Sequence, residues 1–313
     1  TALKFDLNGK INGYINISKA FDNPTFISDL TIDDFNFNRE YLGTAKLNST
    51  WNNESKSVFV SSEIMRKGVS GEGKVFSAKG FYYPFRDKDG LDLKIDFNRL
   101  NIKVIEPFFI DYISSLEGVA SGNFKLSGTP QRPQFVGMID MKRAAMVVNY
   151  LNTKYSFSNA IIFEPNRINF SELVIYDTLG NHANIDGFLS HDHFANSAFD
   201  VRLSTDKLLF FNTTRKMNDL YYGSAITSGE LLLTGSLNEI NLDIDVSTLD
   251  GTNVSLPLDY SVEISDKDYI IFVNPEADTI NLEFKKQIEE ELAENDEELK
   301  YEIGLKMDIN PKA

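Results

Sequence analysis

The sequence lacks cysteine altogether, and it holds only nine prolines, three histidines and one tryptophan among its 313 residues. Without cysteine, disulfides, thiol catalysis and zinc sites built on thiolates are excluded. No apolar run approaches the roughly 20 residues that cross a bilayer as a helix. No signal-peptide pattern is present either, so any export signal or membrane anchor is expected to lie outside this chain.

Basic residues are also in deficit, since 46 acidic residues face 31 lysines and arginines and the formal net charge is −15. Nucleic acids and anionic lipid surfaces both attract basic surfaces, so the charge disfavours both as partners. What the chain does have is 42% hydrophobic residues, with 24 phenylalanines and 13 tyrosines. That composition is typical of a folded chain rich in β-strands.

Hydrophobic and polar residues alternate, which is the period of a strand with one dry and one wet face. Residues 91–97 alternate in this way, and residues 199–204 and 242–247 follow the same pattern. Turn sequences such as Asp89-Gly90 and Asp250-Gly251 separate the alternating runs. Strand therefore follows strand through short turns, and the pattern predicts an antiparallel meander in an all-β fold.

An internal repeat of about 108 residues is superimposed on this alternation. Gly13, Gly122 and Gly229 each begin a short apolar run, and a proline or isoleucine follows eleven residues later in all three. The polar pairs Asn98-Arg99 and Asp206-Lys207 stand at the same interval, each before a leucine. The repeat favours one continuous elongated sheet over two compact domains.

Two regions depart from the strand pattern. Residues Glu106–Leu116 carry a proline near their start and apolar residues at roughly helical spacing, so we predict a short helix there. Residues 282–299 are strongly acidic and predict a short helix or a mobile insertion. The expected organisation is a repetitive sheet over residues 1–275, an acidic insertion over 276–300 and a final strand in 301–313.

Equivalent positions of the repeat share one strand parity, and a slip of a single residue would turn them to the opposite face. They therefore predict one continuous apolar surface, with Asn16, Lys125, Asp243 and Asp245 on the other face. Such a surface is covered by folding into a sandwich, by closing as a barrel, by a partner or by lipid. The predicted lining consists of Ile15, Ile17, Phe26, Phe124, Leu126, Phe135, Ile139, Leu231, Leu233, Leu242, Ile244 and Val246.

One part of the sequence sets spaced glycines into a strand pattern, and the frame consists of Gly118, Gly122, Leu126, Gly128 and Pro133. This frame resembles the repeating unit of the TamB/AsmA-like family of bacterial envelope proteins. Residues 169–173 resemble the family's strand pattern, and residues 105–109 resemble the short helix before the unit. The resemblance covers about residues 1–275, and the composition is similar to members from Bacteroidota. The acidic residues 282–299 depart from the family's pattern.

The resemblance implies a β-taco, which is a folded-over, open half-barrel of antiparallel strands with a hydrophobic groove and one or two short helices. The implied protein is anchored in the inner membrane, spans the periplasm and carries phospholipid between the inner and outer membranes, in support of outer-membrane biogenesis. The implied partners are phospholipid acyl chains in the groove. An outer-membrane barrel protein of the TamA type and the inner membrane would be reached through segments outside this chain.

Two other functions stay open. A scaffold of a translocation and assembly module would offer strand edges to outer-membrane β-barrel proteins during insertion or secretion. A β-solenoid adhesin or glycan-binding module would instead need polar or aromatic clusters on its outer surface. An uninterrupted and loosely packed apolar lining favours the lipid conduit over both.

Histidines and clustered acids give little sign of catalysis or metal binding. His191 and His193 would share one side of a strand as a metal pair, but they lie in a polar stretch that we interpret as a turn. His182 is likewise expected in a turn. No nucleophile elbow or phosphate-binding loop is present. We therefore predict no enzymatic activity, no cofactor and no metal site.

Three aspartates and two threonines complete the set of candidate positions. Asp87, Asp89 and Asp92 flank a turn, and we interpret them as a solvated face and not as calcium ligands or glycosidase carboxylates. Thr178 and Thr279 each follow an aspartate in sequences that resemble the O-glycosylation site of Bacteroidota.

Overall fold

The computed structural model describes residues 6–18, 25–68, 71–193, 195–218, 221–236, 239–255, 257 and 300–308. Within these residues, 18 strands form one sheet, which is curved and does not close into a barrel. One short 3₁₀ helix accompanies the strands described. The predicted fold class, an elongated curved antiparallel sheet with little helix, is confirmed.

The strands are mostly long, and the longest, β14, has 19 residues. The first nine are β1 Leu7–Ser18, β2 Thr25–Phe37, β3 Glu40–Asn52, β4 Ser57–Gly68, β5 Gly71–Tyr82, β6 Leu91–Asn101, β7 Ile113–Gly128, β8 Pro133–Val148 and β9 Thr153–Phe157. The others are β10 Ala160–Glu164, β11 Arg167–Asn169, β12 Leu173–Tyr176, β13 His182–Asp192, β14 Ala195–Thr213, β15 Tyr222–Ser236, β16 Glu239–Thr248, β17 Asn253–Ser255 and β18 Lys300–Asp308. The 3₁₀ helix spans Ile102–Phe108 and joins β6 to β7.

The first eight strands form a simple meander in which each pairs antiparallel with the next. Short polar turns make this possible. In the turn between β3 and β4, the Asn52 side chain accepts hydrogen bonds from the backbone N–H groups of Glu54 and Ser55, at 2.9 and 3.0 Å. In the register of the described strands β1 pairs with β2 alone, so it forms one edge of the sheet.

The middle of the sheet contains two strands that are each interrupted once. β9 and β10 both pair with β8, while β11 and β12 both pair with β13. β10 also pairs with β11, and β9 with β12. The interruptions lie side by side, because the Asn159 side chain donates a hydrogen bond of 3.0 Å to the carbonyl oxygen of Glu172. The meander thus continues across the break.

From β13 the meander resumes through β14, β15 and β16, and β17 pairs with the far end of β15. β18 lies beside β16 in parallel, with Lys300 opposite Glu239 and Asp308 opposite Ser247. Every other pairing among the described strands is antiparallel. A parallel neighbour requires a long connection, and residues 256–299 separate β17 from β18. Most of the predicted acidic insertion lies outside the described residues.

The predicted helix over Glu106–Leu116 is misplaced. The helix begins at Ile102 and ends at Phe108, and Ile113 already pairs with Val148 in the sheet. Asn101 caps its start by accepting the Lys103 N–H at 3.1 Å. The Glu106 carboxylate accepts the N–H of Leu116 at 2.5 Å, which ties the helix to β7 and leaves the later apolar residues to the strand.

A line of bulges creases the sheet lengthwise. The polar pairs Asp33–Asp34, Asn98–Arg99 and Asp206–Lys207 each interrupt a ladder and place one extra residue on their strand. Arg143 on β8 and the interruption at Ser158–Asn159 continue this crease through the middle of the sheet. Bulges bend a strand and increase its local twist, so their alignment curves the sheet along the crease.

Two buried clusters lie on the far side of the crease. One is built on Leu42, Ala45, Ile64, Val75 and Val104, and the other includes Ile102, Leu116, Ala144, Tyr155 and Leu208. The 3₁₀ helix contributes one buried residue to each cluster, Val104 and Ile102. Packing along the crease therefore closes one side of the folded sheet, whereas the strands on the other side of the crease line an open face.

Candidate functional site

The register of the sheet places the predicted lining on a single face. Residues directly opposite each other in a ladder point to the same side. One row of such partners crosses 14 strands without meeting a bulge, roughly 60 Å at about 4.8 Å per strand. It consists of Gly13, Leu30, Leu47, Ser62, Ala78, Ile95, Phe124, Gly137, Phe163, Ile168, Leu189, Phe199, Gly235 and Ile240.

All twelve predicted lining residues belong to the same face as this row. Each lies in the row itself or an even number of residues from one of its members on the same strand, with no bulge between. Leu126, for example, lies opposite both Leu93 and Phe135, and Leu231 lies opposite Leu203 and Ile244. We call this surface the groove face. That it binds lipid stays a prediction.

The groove face is lined with apolar side chains but is not filled by them. Of the twelve predicted residues Val246 alone is buried, while Ile15 and Ile17 are 57% and 63% exposed. The remaining nine are of intermediate exposure. A filled core would bury most of these side chains against one another. The groove face is thus an open apolar trough whose fully buried residues are concentrated along the crease.

Aromatic rings form the centre of the trough. Phe124 stacks on Phe97 with a centroid separation of 5.8 Å, and it meets Phe135 and Phe163 edge to face at 5.9 and 5.1 Å. Gly137 lies directly opposite Phe124, and a Cβ at Gly137 would lie only 2.9 Å from the Phe124 ring. The backbone carbonyl oxygen of Asn123 and the Phe124 ring occupy the space that a side chain at Gly137 would need.

The opposite face is polar and carries ion pairs. Lys306 lies 2.8 Å from Asp245, Lys74 lies 3.3 Å from Glu63, and Lys142 lies 3.3 Å from Asp140. These pairs are largely solvated, so each contributes little to stability. Their value is in solubility, because a sheet with two apolar faces would associate through both. The two faces therefore differ in chemistry along the length of the sheet.

Sequence reasoning missed the lining contributed by β3 to β6. Leu47, Ala78, Ile95 and Phe97 share the groove face, yet none has an equivalent in all three repeats. The alternation of residues 91–97 was a usable signal for Ile95 and Phe97. The pairing of Ile95 with Phe124 could not be predicted in this way, because it depends on the register between β6 and β7.

The histidines do not assemble a metal centre. β13 ends at Asp192, and His193 follows with a φ of +53°, so His191 and His193 do not continue one strand. The expectation of a turn is wrong for His191, which is a buried strand residue. Burial lowers the pKa of His191, and the neighbouring His193 lowers it further. His182 is also in a strand and not in a turn, since it opens β13.

Asp192, the carboxylate beside His193, is paired with both His193 and Arg132. His193 Nδ1 lies 2.6 Å from Asp192 Oδ1, and Arg132 Nη2 donates to both oxygens of Asp192 at 2.9 and 2.8 Å. Asp87, Asp89 and Asp92 are all exposed. Across the described part of the chain, no group of three or more histidines and carboxylates is placed to hold a metal ion.

Comparison with known proteins adds one family. Residues 172–313 match the family model of the TamB C-terminal domain. This match begins just before β12 and extends over β13 to β18. No curated protein and no solved structure matches the chain at a significant level. Among the helices of the described residues, none has the length and apolar character needed to cross a membrane.

Proposed function

We propose that this chain, whose residues 172–313 match the TamB C-terminal domain, is part of a periplasm-spanning protein that carries phospholipid between the inner and outer membranes. The match to the TamB C-terminal domain supports a protein of the cell envelope. The observation that carries the proposal is the groove face, whose row of partners crosses 14 strands without a bulge and contains one polar side chain, Ser62. Transfer along it would supply lipid for outer-membrane biogenesis.

The energetics favour acyl chains as the cargo. Each buried CH₂ gains about 0.8 kcal/mol, so a chain of about 14 methylenes gains roughly 11 kcal/mol from any continuous apolar trough. No particular side chain is needed for this gain, and the serines of the groove face include Ser28 and Ser49, which hydrogen-bond to each other. The half-exposed lining leaves the apolar surface available to the chain. Passage from strand to strand would then change little in free energy.

The proposed partners follow from this role. Phospholipid acyl chains would occupy the groove face, and the headgroups would stay in water at the open side. An inner-membrane anchor and an outer-membrane barrel protein of the TamA type would be reached through segments outside this chain. Localisation in the periplasm belongs to the same proposal.

Photo-crosslinking in cells tests the path directly. A photoreactive residue at Phe124 or Leu126 should give phospholipid adducts, because both side chains are on the groove face. The same residue at Asn123 or Lys125 should not, since these neighbours are exposed on the polar face of the same strand. Equal adducts on both faces, or none on the groove face, would contradict the conduit.

A charge in the trough should block transfer more than a truncation does. Leu126→Asp places a carboxylate between Leu93 and Phe135, and an unpaired charge costs several kcal/mol to desolvate when an acyl chain passes. Leu126→Ala leaves the path apolar. Lys125→Asp is the matched control on the polar face. Transfer that is equally fast in both aspartate variants, with both folded by circular dichroism, would argue against a groove path.

An assembly scaffold is the second candidate, and the edge strand β1 favours it. All described residues of β1 are exposed, and its outer edge has no partner among the described strands. Exposed strand edges pair readily with other strands. A disulfide trap between cysteines placed on β1 and a nascent outer-membrane strand would test it. Crosslinks at β1 without any lipid adducts in the groove would favour this role.

We also propose that the chain has no enzymatic role. Replacing His191 and His193 together by alanine should leave transfer per folded molecule unchanged. Because His191 is buried, folded protein has to be quantified in each strain. Loss of transfer in a double variant that is folded and present at the normal level would reveal a chemical role for these side chains.

A further inference from the structure

A cavity of about 460 Å³ lies beside the crease. It is bounded by β4, β6, β7, β8 and the 3₁₀ helix. Five of its lining residues are basic, which is unusual in a chain whose net charge is −15. The basic residues are Arg66, Arg99, Lys103, Lys142 and Arg143, and Glu117 is the acidic residue among the others.

The lysines of this cavity are paired, whereas its arginines are not. Lys103 lies 3.1 Å from Glu40, and Lys142 lies 3.3 Å from Asp140. Glu117 is itself held by Lys154 at 3.1 Å. Arg66, Arg99 and Arg143 form no ion pair with any carboxylate of the described residues. The cavity is therefore lined by three arginines whose positive charge is not neutralised by an ion pair among the described residues.

Two of the arginines have the same backbone conformation, a positive φ at a β-bulge. Arg99 and Arg143 both stand at bulges of the crease, with φ of +51° and +52°. Each backbone N–H donates at 2.9 Å to a serine Oγ, that of Ser121 on β7 for Arg99 and that of Ser158, between β9 and β10, for Arg143. A positive φ costs a side-chain-bearing residue about 1 kcal/mol or more, and bulges commonly redirect side chains next to binding sites.

The third arginine is linked to this pair. Arg66 Nη2 donates a hydrogen bond of 3.3 Å to the carbonyl oxygen of Arg99. That contact fixes one end of the Arg66 guanidinium beside the Arg99 bulge and leaves its other N–H groups available. A guanidinium offers five donors in a planar fork that matches the oxygens of phosphate. Three arginines from three strands line the same cavity.

A second cavity, on the polar face, shows that such clustering is not general. It has a similar volume, about 450 Å³, and is lined by Arg202, Lys306 and three acidic residues. There Arg202 lies 3.6 Å from Glu230, and Lys306 lies 2.8 Å from Asp245. Its cations are neutralised where they stand. The unpaired arginines of the first cavity thus differ from the paired cations of the second.

We propose that this cavity, the arginine pocket, binds a phosphate group. Three guanidinium groups can surround a tetrahedral anion, and charge-assisted hydrogen bonds of this kind are roughly twice as strong as neutral ones. The phosphate could come from a phospholipid headgroup or from free phosphate. None of the pocket's lining residues is among the twelve predicted lining residues of the trough, so phosphate binding does not depend on a lipid path through the groove.

Calorimetric titration with two probes tests the pocket and its source of phosphate. The probes are inorganic phosphate and glycerophosphoglycerol, which is a phospholipid headgroup without acyl chains and cannot use the groove. The test variant is Arg99→Gln with Arg143→Gln. The matched control is Arg202→Gln with Lys306→Gln, which removes the same charge from the second cavity. Arg66→Gln is a further test variant outside the bulges. It tests phosphate binding even if the double variant does not fold.

We expect at least one probe to bind the unaltered protein, with affinity that falls as salt rises. Binding should weaken about tenfold or more for each arginine removed and should stay unchanged in the control. Tighter binding of glycerophosphoglycerol would identify a phospholipid headgroup as the ligand of the pocket. Tighter binding of inorganic phosphate would identify free phosphate as the ligand. No binding of either probe, or equal losses in the test and control variants, would overturn the proposal.

Discussion

Asp177 links the turn between β12 and β13 to β14, and its removal should be costly. Its carboxylate accepts four hydrogen bonds, from the N–H groups of Leu179, Asn181 and Leu209 and from the Asn181 side chain, at 2.7 to 2.8 Å. Leu209 is buried on β14, so Asp177→Ala leaves its N–H without an acceptor. A buried donor without an acceptor costs about 1–3 kcal/mol, and the loosened turn adds about 1 kcal/mol. We expect a total loss of about 2–4 kcal/mol.

The same site predicts a dependence on pH. Burial alone would raise the pKa of Asp177, but hydrogen bonds from Leu209 and from the turn outweigh it, and the pKa is lowered. A lowered folded pKa means that the ionised group stabilises the fold above the unfolded value of about 3.9. This contribution is lost as the pH falls through that value and then through the lower folded pKa. Asp177→Asn should therefore differ most from the unaltered protein at neutral pH and least at pH about 2.

Urea unfolding at several pH values measures both effects. An elongated sheet need not unfold in one step, so hydrogen exchange at the Leu209 amide should be followed as a local measure. Asp89→Asn is the control, since Asp89 is exposed in a loop. The reasoning fails if Asp177→Ala stays within about 0.5 kcal/mol of the unaltered protein at pH 7. It also fails if the deficit of Asp177→Asn is the same at pH 7 and at pH 2.

Three further substitutions test the crease and the surface. Ser158→Ala removes the acceptor of the Arg143 N–H and should cost about 1 kcal/mol in urea unfolding, with exchange at Arg143 accelerated. Tyr155→Phe loses the hydroxyl that donates to the carbonyls of Leu209 and Phe210 at 3.1 and 2.9 Å and should cost about 1 kcal/mol. Burial raises the pKa of Tyr155, so stability should also fall as the pH rises above about 10, and the phenylalanine variant should lack this part of the fall. Arg132→Gln breaks a half-exposed pair with Asp192 and should cost less than about 1 kcal/mol, with no difference left in high salt.

The apolar face was predictable because strand parity survives over long distances. Phe124, Leu231 and Ile15 are far apart in sequence, yet alternation fixes the side of the sheet to which each belongs. The structure adds the register, which links them through residues such as Ile95 and Phe163. Register depends on which turn closes each hairpin, and the repeat alone does not carry that information across β3 to β6.

The helix was harder to place because its apolar residues follow no single period. Ile102 and Val104 alternate as strand residues do, and they are buried in the two clusters beside the crease. Pro107 suggested a helix start, but it lies in the last turn of a 3₁₀ helix. Short 3₁₀ segments are held by their contacts more than by propensity. Those contacts, such as Glu106 with the N–H of Leu116, cannot be seen in the sequence.

The arginine pocket escaped sequence reasoning for a related reason. Its three unpaired arginines come from β4, β6 and β8, and nothing in their spacing marks them as neighbours. A net charge of −15 argued against anionic partners. Net charge describes the whole surface, however, and the crease gathers Arg66, Arg99 and Arg143 into one cavity. The positive charge of these arginines is therefore local and opposite in sign to the net charge of the chain. Two of them, Arg99 and Arg143, stand at bulges of the crease.

One sequence pattern accounts for both the crease and the groove face. Each of three bulges reads as a polar pair between two residues of the groove side, as in Phe97-Asn98-Arg99-Leu100. Strict alternation would place Leu100 on the polar face, because it stands three residues after Phe97. The extra residue of the bulge restores it to the inner side, where it lies opposite Ala120 and packs on a buried cluster. The repeated polar pairs are therefore not breaks in the strand pattern, since they bend the sheet while keeping its apolar side inward.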